Sequence, residues 1–297
     1  MKKRFYTRRQ FLHNTTAAAI GGALYLNLPV KANIQSGQKS RVILIRDADV
    51  LDSANKLNKN VLTGMVDQAV CALTDQTGIQ SAWNQIIFPQ DIVGIKTNSW
   101  TDLDTPEELE SHLRMRVLEC GVKENNVSIN DRGLLSDKVF LNATALINTR
   151  PMRTHDWSGV GTLIKNYIMF VDKPWEYHDD SCADLASIWK LPLVRNKTRL
   201  NILVMLTPLF HGVGPHHYNA KYTWPYKGIL AGFDPVAVDA TGVRIIQAKR
   251  KEYFQEERPI NPPPKHIFLA DTRHHLGTAD PNKIELIKIG WSEGIFI

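Results

Sequence analysis

Cysteine is scarce in this chain. Cys71, Cys120 and Cys182 are the only three in 297 residues, far apart, and none belongs to a C-x-x-C pair. That excludes a disulfide framework, leaving one bridge at most. It also leaves too few thiolates for a cysteine-ligated iron–sulfur cluster, which usually takes four. Cys71 and Cys120 read as small buried apolar residues. Internal repeats and low-complexity tracts are absent, and beyond the first 32 residues no apolar run approaches the roughly 20 residues of a membrane span. A surplus of positive charge is absent too, once the leader is set aside. The chain has 36 basic and 30 acidic residues, and Lys2, Lys3, Arg4, Arg8, Arg9 and Lys31 account for the whole difference. Residues 33–297 are therefore neutral overall, which argues against nucleic acid as a partner, since that partner requires a basic face.

The leader itself is informative. Thr7-Arg8-Arg9-Gln10-Phe11-Leu12 precedes a mildly apolar run from Thr15 to Leu28, and Val30-Lys31-Ala32 closes it. A basic head, an apolar middle and a small-x-small site form an export signal, and the paired arginines mark the twin-arginine type. The expectation is a signal over residues 1–32, cut after Ala32, and a linker over 33–40. Export would run through the twin-arginine translocase to the periplasm or another extracytoplasmic space. Gly21, Gly22 and Asn27 interrupt the run, so it reads as a leader and not as an anchor.

Residues 41–297 alternate strand-like and helix-like segments. Arg41–Arg46, Asp91–Lys96, Val127–Asn130, Ala145–Asn148, Leu200–Leu206, His266–Ala270 and Ile284–Ile289 read as strands. Val61–Leu73 has apolar residues at helical spacing. Thr105-Pro106-Glu107-Glu108 reads as an N-cap, a proline at the first helical position and a capping-box Glu, opening a helix to about Cys120. Gly161–Val171 looks helical, and Asp234 caps a helix running to about Lys249. The alternation predicts one large α/β domain, with a mostly parallel sheet and helices on both faces.

In such sheets ligands bind beyond the carboxyl ends of the strands. Four strands end in polar clusters: Lys96-Thr97-Asn98, Asp131-Arg132-Gly133, Thr149 to His155, and Thr207 to His217. Their convergence predicts one crevice. Lys96, Asn98, Asp131, Arg132, Arg153 and Asn166 would hold a small anionic ligand there, with Arg150 adding charge, because guanidinium forks match carboxylate and phosphate. His155, placed in a loop, would act as base or ligand. Lys165 would act as base, anchor or charge stabiliser, and the helix-start amides near Gly161 would be open to an anion. His211 and His216 are the candidate metal ligands, in a spacing that matches no standard zinc motif.

Several segments together resemble the DUF362 family, a group without an established common activity. They are Val93-Gly94-Ile95-Lys96-Thr97-Asn98, Ala145-Leu146-Ile147-Asn148 through Arg153-Thr154-His155 to Leu163-Ile164-Lys165-Asn166, Gly228 to Asp239, and His275-Leu276-Gly277-Thr278-Ala279-Asp280. Arg153 stands where the family usually has lysine, and the cysteine module of some members is missing. More remotely, the chain is similar to the N-terminal domain of nickel-pincer lactate racemase. That resemblance implies a transition metal or metal-containing cofactor, with His155 as base, Lys165 as cofactor anchor, and His178 or His211 as metal ligand. Two function classes follow as expectations. One is a metal- or cofactor-dependent racemase, isomerase or oxidoreductase acting on a small anion. The other is a non-catalytic periplasmic binding or accessory protein.

Overall fold

In the computed structural model the described residues are 39–297, except 101, 213, 215 and 216. The expected signal, most of the linker and His216 lie outside them.

One mixed sheet organises these residues. Its strands are β1 (Ser40–Arg46), β2 (Val93–Lys96), β3 (Val127–Asn130), β4 (Ala145–His155), β5 (Gly159–Gly161), β6 (Thr198–Leu209), β7 (Gly228–Gly232) and β8 (Ile284–Gly290). The spatial order is β3-β2-β4-β6-β7-β1-β8, with β5 paired to β4 alone. Strands β3, β2, β4 and β6 are mutually parallel, as are β1 and β8. Strand β7 runs antiparallel to both β6 and β1, and β5 antiparallel to β4. The expected α/β sheet, mostly parallel with helices around it, is present.

Its helices are α1 (Lys59–Thr74), α2 (Ile79–Trp83), α3 (Glu107–Glu119), α4 (Lys138–Asn142), α5 (Leu163–Asn166), α6 (Pro235–Phe254) and α7 (Lys265–Thr272). Side chains alternate across a strand, so each strand feeds both faces. Within β1, Ile43 and Ile45 join the core under α1, α2 and α3, while Val42 and Leu44 join the core under α5, α6 and α7. Burying each such side chain contributes roughly 1.5–3 kcal/mol.

Four local readings are corrected. His266–Ala270 is helical, inside α7, because its apolar residues Ile267 and Ala270 recur at helical spacing and face one core. Strand β4 does not stop at Asn148. Pairing with β6 and then β5 carries it through Arg150, Arg153 and His155, which therefore sit on a strand and not in a loop. The segment after Gly161 forms only one α turn, α5, followed by a tighter 3-10 turn, Tyr167–Phe170. Thr105 does not cap α3. Its hydroxyl accepts from the Asn98 amide at 3.1 Å, and Pro106 occupies the cap position. Asp234 does cap α6, accepting from the Val236 and Ala237 amides at 2.9 and 3.1 Å.

Candidate anion-binding crevice

The parallel strands bring their carboxyl ends to one edge, and most of the candidate residues meet there. Lys96, the last residue of β2, is fully buried. Its ammonium donates to Asp131 Oδ1 at 2.5 Å, to the Thr97 carbonyl at 2.6 Å and to Asn166 Oδ1 at 3.2 Å. Burial lowers its pKa to about 8, against the pull of Asp131. Asp131 also accepts from the Ser99 amide and hydroxyl at 3.2 and 3.0 Å. Asn166 donates to Asn148 Oδ1 at 2.9 Å and to the Thr149 carbonyl at 3.1 Å, which ties α5 to β4. Lys96, Asp131 and Asn166 are thus joined in one network. The Asn98 carbonyl oxygen Oδ1 is buried nearby in the chain without a partner. Arg132 departs from expectation. Its side chain is 68% exposed and reaches only to 3.9 Å from Asp131, so it points to solvent.

Arg150 and Arg153 lie deeper than the sequence suggested. Both are almost fully buried, and neither forms an ion pair among the described residues. Arg153 donates through Nη1 to the Leu103 carbonyl at 3.1 Å, and its guanidinium lies 5.5 Å from the Trp100 ring centre. Its Nε and Nη2 are buried without a partner, as is Nε of Arg150. Burial, and then the charge of Arg150, push Arg153 down to about 8. Arg150 falls to about 10 through burial, opposed by Asp131 and Asp239.

His155 ends β4 with its ring buried. Nδ1 lies 2.9 Å from Asp156 Oδ1, and the Trp157 amide approaches both Nδ1 (3.2 Å) and Asp156 Oδ1 (3.1 Å). Nδ1 accepts from the Trp157 amide, so the proton of the neutral ring sits on Nε2. Burial, followed by the charges of Lys165, Arg150 and Arg153, drives the His155 pKa far below its ordinary value. The ring is neutral throughout the working pH range.

Lys165 projects from α5 into the same region. It is buried, its ammonium lies 3.5 Å from Cys182 Sγ, and burial lowers its pKa to about 8. Cys182 closes a turn in which Asp180, Ser181 and Cys182 all have φ between +47° and +63°. Left-handed backbone is uncommon for non-glycine residues. His178 packs against Trp157 with ring centroids 4.3 Å apart and planes tilted by 37°, and burial lowers its pKa to about 4.

Two contributors were not foreseen. Asp239, on α6, accepts from the Thr162 hydroxyl at 2.6 Å and from the Leu163 and Ile164 amides at 3.0 and 2.9 Å. It caps α5 from 75 residues away, so those amides are not open to an anion as expected. Burial raises Asp239 to about 7, against these bonds. His266, on α7, is fully buried with both ring nitrogens unpartnered. Burial, then the charges of Lys165 and Arg150, lower it to about 3. The missed signal was the helical spacing of α7, which turns His266 inward.

Metal binding finds little support in the donor set. Among the described residues no three His, Cys, Asp or Glu side chains converge as ligands. His211 Nδ1 is 3.0 Å from the Arg250 guanidinium, and its ring packs edge-on against Tyr222 and Phe254. Its proposed companion, His216, lies outside the described residues. A lone cation beside His155 would face Arg150, Arg153 and Lys165, so these residues do not fit a bare metal ion.

Residues 117–244 match the DUF362 family model. Its description is a domain of unknown function, so the match supports the family and assigns no activity. The DUF362 stretch contains Asp131, Arg150, Arg153, His155, Lys165, Asn166 and Asp239, while Lys96, Asn98 and His266 come from the flanking chain. No curated protein and no solved structure matches the chain. No helix among the described residues is long and apolar enough to cross a membrane.

Proposed function

We propose that this protein binds a small anion at the carboxyl edge of its sheet, with His155 and Lys165 placed to move a proton on that ligand. The observation that carries the reading is the buried Arg150–Arg153 pair, neither of which forms an ion pair among the described residues and three of whose nitrogens have no partner. A buried charge without a partner costs several kcal/mol, a cost that an anionic ligand would offset. Neutral His155, its Nδ1 held by the Trp157 amide, would present Nε2–H as a proton donor. Lys165, with a pKa of about 8, lies close enough to neutrality to give one up or take one back. The Trp157 amide would fix the imidazole tautomer, and Asp239 would hold α5 so that Lys165 and Asn166 keep their places. The leader supports the further proposal that the chain is exported by the twin-arginine route.

The test is a thermal-shift screen of the full chain against small carboxylates and phosphates, repeated on His155→Ala and Arg153→Gln. The reading expects stabilisation by at least one anion that survives His155→Ala and is lost in Arg153→Gln. A conversion of that anion that His155→Ala abolishes would identify an enzyme. Stabilisation without turnover in either protein would identify a binding protein. If no anion stabilises the wild type, the reading falls.

A further inference from the structure

Building on the anion reading, we infer that the occupant presents a phosphoryl group: a tetrahedral, doubly charged oxyanion held between the Arg150 and Arg153 guanidiniums beside Gly161. The two side chains converge on that glycine. A Cβ there would lie 2.8 Å from Arg150 Nη2 and 3.4 Å from Arg153 Cγ. The Arg150 guanidinium and the stem of Arg153 thus share one wall, and neither arginine forms an ion pair among the described residues.

The acids nearby are committed elsewhere. Asp131 is engaged by Lys96 and Ser99, and Asp239 by Thr162 and the start of α5. Of the partly exposed acids, Asp156 lies against His155, and Glu110 accepts from the Thr97 hydroxyl. What remains open is a set of buried donors: Arg150 Nε, Arg153 Nε and Arg153 Nη2. The hydroxyls of Thr149 and Thr154 on the same strand are also buried and unpartnered.

That donor set exceeds what a carboxylate can use. A carboxylate is planar, carries one charge and offers two oxygens with about four lone-pair sites, fewer than these five donors. A phosphoryl group carries close to two charges at neutral pH and offers three strong acceptor oxygens in diverging directions. It can accept from both arginines and the threonine hydroxyls at once, and its charge offsets the repulsion between the two arginines. The phosphoryl group can be free phosphate or the end of a phosphate monoester.

The experiment titrates the full chain by calorimetry, in chloride buffer near pH 7, with inorganic phosphate, phenyl phosphate and acetate. Phosphorus NMR line broadening is read in parallel. The expected result is binding of a phosphoryl ligand at least about tenfold tighter than acetate, weakened about tenfold or more by Arg153→Gln. Tighter binding of phenyl phosphate than of inorganic phosphate points to an ester, and comparable binding to free phosphate. Acetate binding as tightly as either would overturn the phosphoryl inference while leaving the anion reading intact. Binding of none of the three would overturn both. Should Arg153→Gln fail to fold, Arg153→Lys retains the charge without the fork. It is expected to weaken the phosphoryl ligand and leave acetate unchanged, and an unchanged phosphoryl affinity would count against the inference.

Discussion

Two buried polar clusters in this molecule differ in one respect. On the α1–α3 side of the sheet, Asp67 is surrounded by partners. It accepts from Trp83 Nε1 at 2.9 Å, His112 Nε2 at 3.1 Å, Arg116 Nε at 3.0 Å and Arg116 Nη2 at 2.6 Å. Burial alone would raise its pKa, yet the bonds from His112, Arg116 and Trp83 hold the carboxyl below its ordinary range. This cluster clamps α1, α2 and α3 together, and its acceptor needs are met from within the chain. At the carboxyl edge of the sheet, Arg150 and Arg153 are buried as deeply, yet three of their nitrogens have no partner. Buried polar groups in folded proteins are nearly always paired. The first cluster satisfies itself, whereas the second leaves buried donors open.

The comparison breaks most visibly at Asp67. Asp67→Ala leaves Arg116 and the Trp83 indole without their acceptor and is expected to lower the unfolding free energy by about 3–5 kcal/mol. Urea unfolding measures that loss, and anion affinity in the folded fraction should not change. Equal damage to anion binding would mean that the clusters are not independent.

Lys165 sharpens the other side. A lysine whose pKa falls from 10.5 unfolded to about 8 folded resists protonation in the native state. The unfolded chain then binds more protons between these values, so this group's contribution to stability rises with pH from about 8 to 10.5 and is level below 8. Lys165→Met removes the group. The variant should be more stable than wild type below pH 8, by up to about 3 kcal/mol, with the gap closing towards pH 10.5. Unfolding curves of both proteins across that range give the answer, and a gap independent of pH would contradict it.

Asp239→Ala tests positioning. It strips the Leu163 and Ile164 amides of their acceptor, at a cost of about 1–3 kcal/mol. It should also weaken anion binding, although Asp239 itself is not a proposed contact. Calorimetry on the folded variant separates the two effects, and unchanged affinity would mean that α5 keeps its place without the cap. The smallest change is Gly161→Ala. Its methyl would press on Arg150, and we expect a severalfold loss of affinity, near about 1 kcal/mol, with little change in stability. An affinity equal to wild type in a binding titration would show that the guanidinium moves aside freely.

Much of this architecture was legible in the sequence, and the illegible parts share a cause. The apolar runs of β1, β3 and β6 and the spacing of α1 announce themselves locally. So did the convergence of Lys96, Asp131, Arg153, His155, Lys165 and Asn166, because strand ends in a parallel sheet share an edge. The run Thr149–His155 hid the rest of β4, since polar residues there look like a loop until β5 and β6 pair with them. The role of Asp239 is invisible locally, because its partners lie 75 to 77 residues away. Arg132 looked equivalent to Arg153, yet one is exposed and the other buried, and only the packing of β4 between β2 and β6 separates them. Local sequence rules fail here mainly where a residue's partners lie far along the chain.

The most direct test of the account is a calorimetric comparison of wild type, Arg153→Gln and Asp67→Asn titrated with the anion that stabilises the wild type best. The account predicts saturable binding by wild type and by Asp67→Asn, and at least about a tenfold loss in Arg153→Gln. Equal binding by wild type and Arg153→Gln would contradict it, because the open nitrogens of that guanidinium would then have no part in holding the ligand.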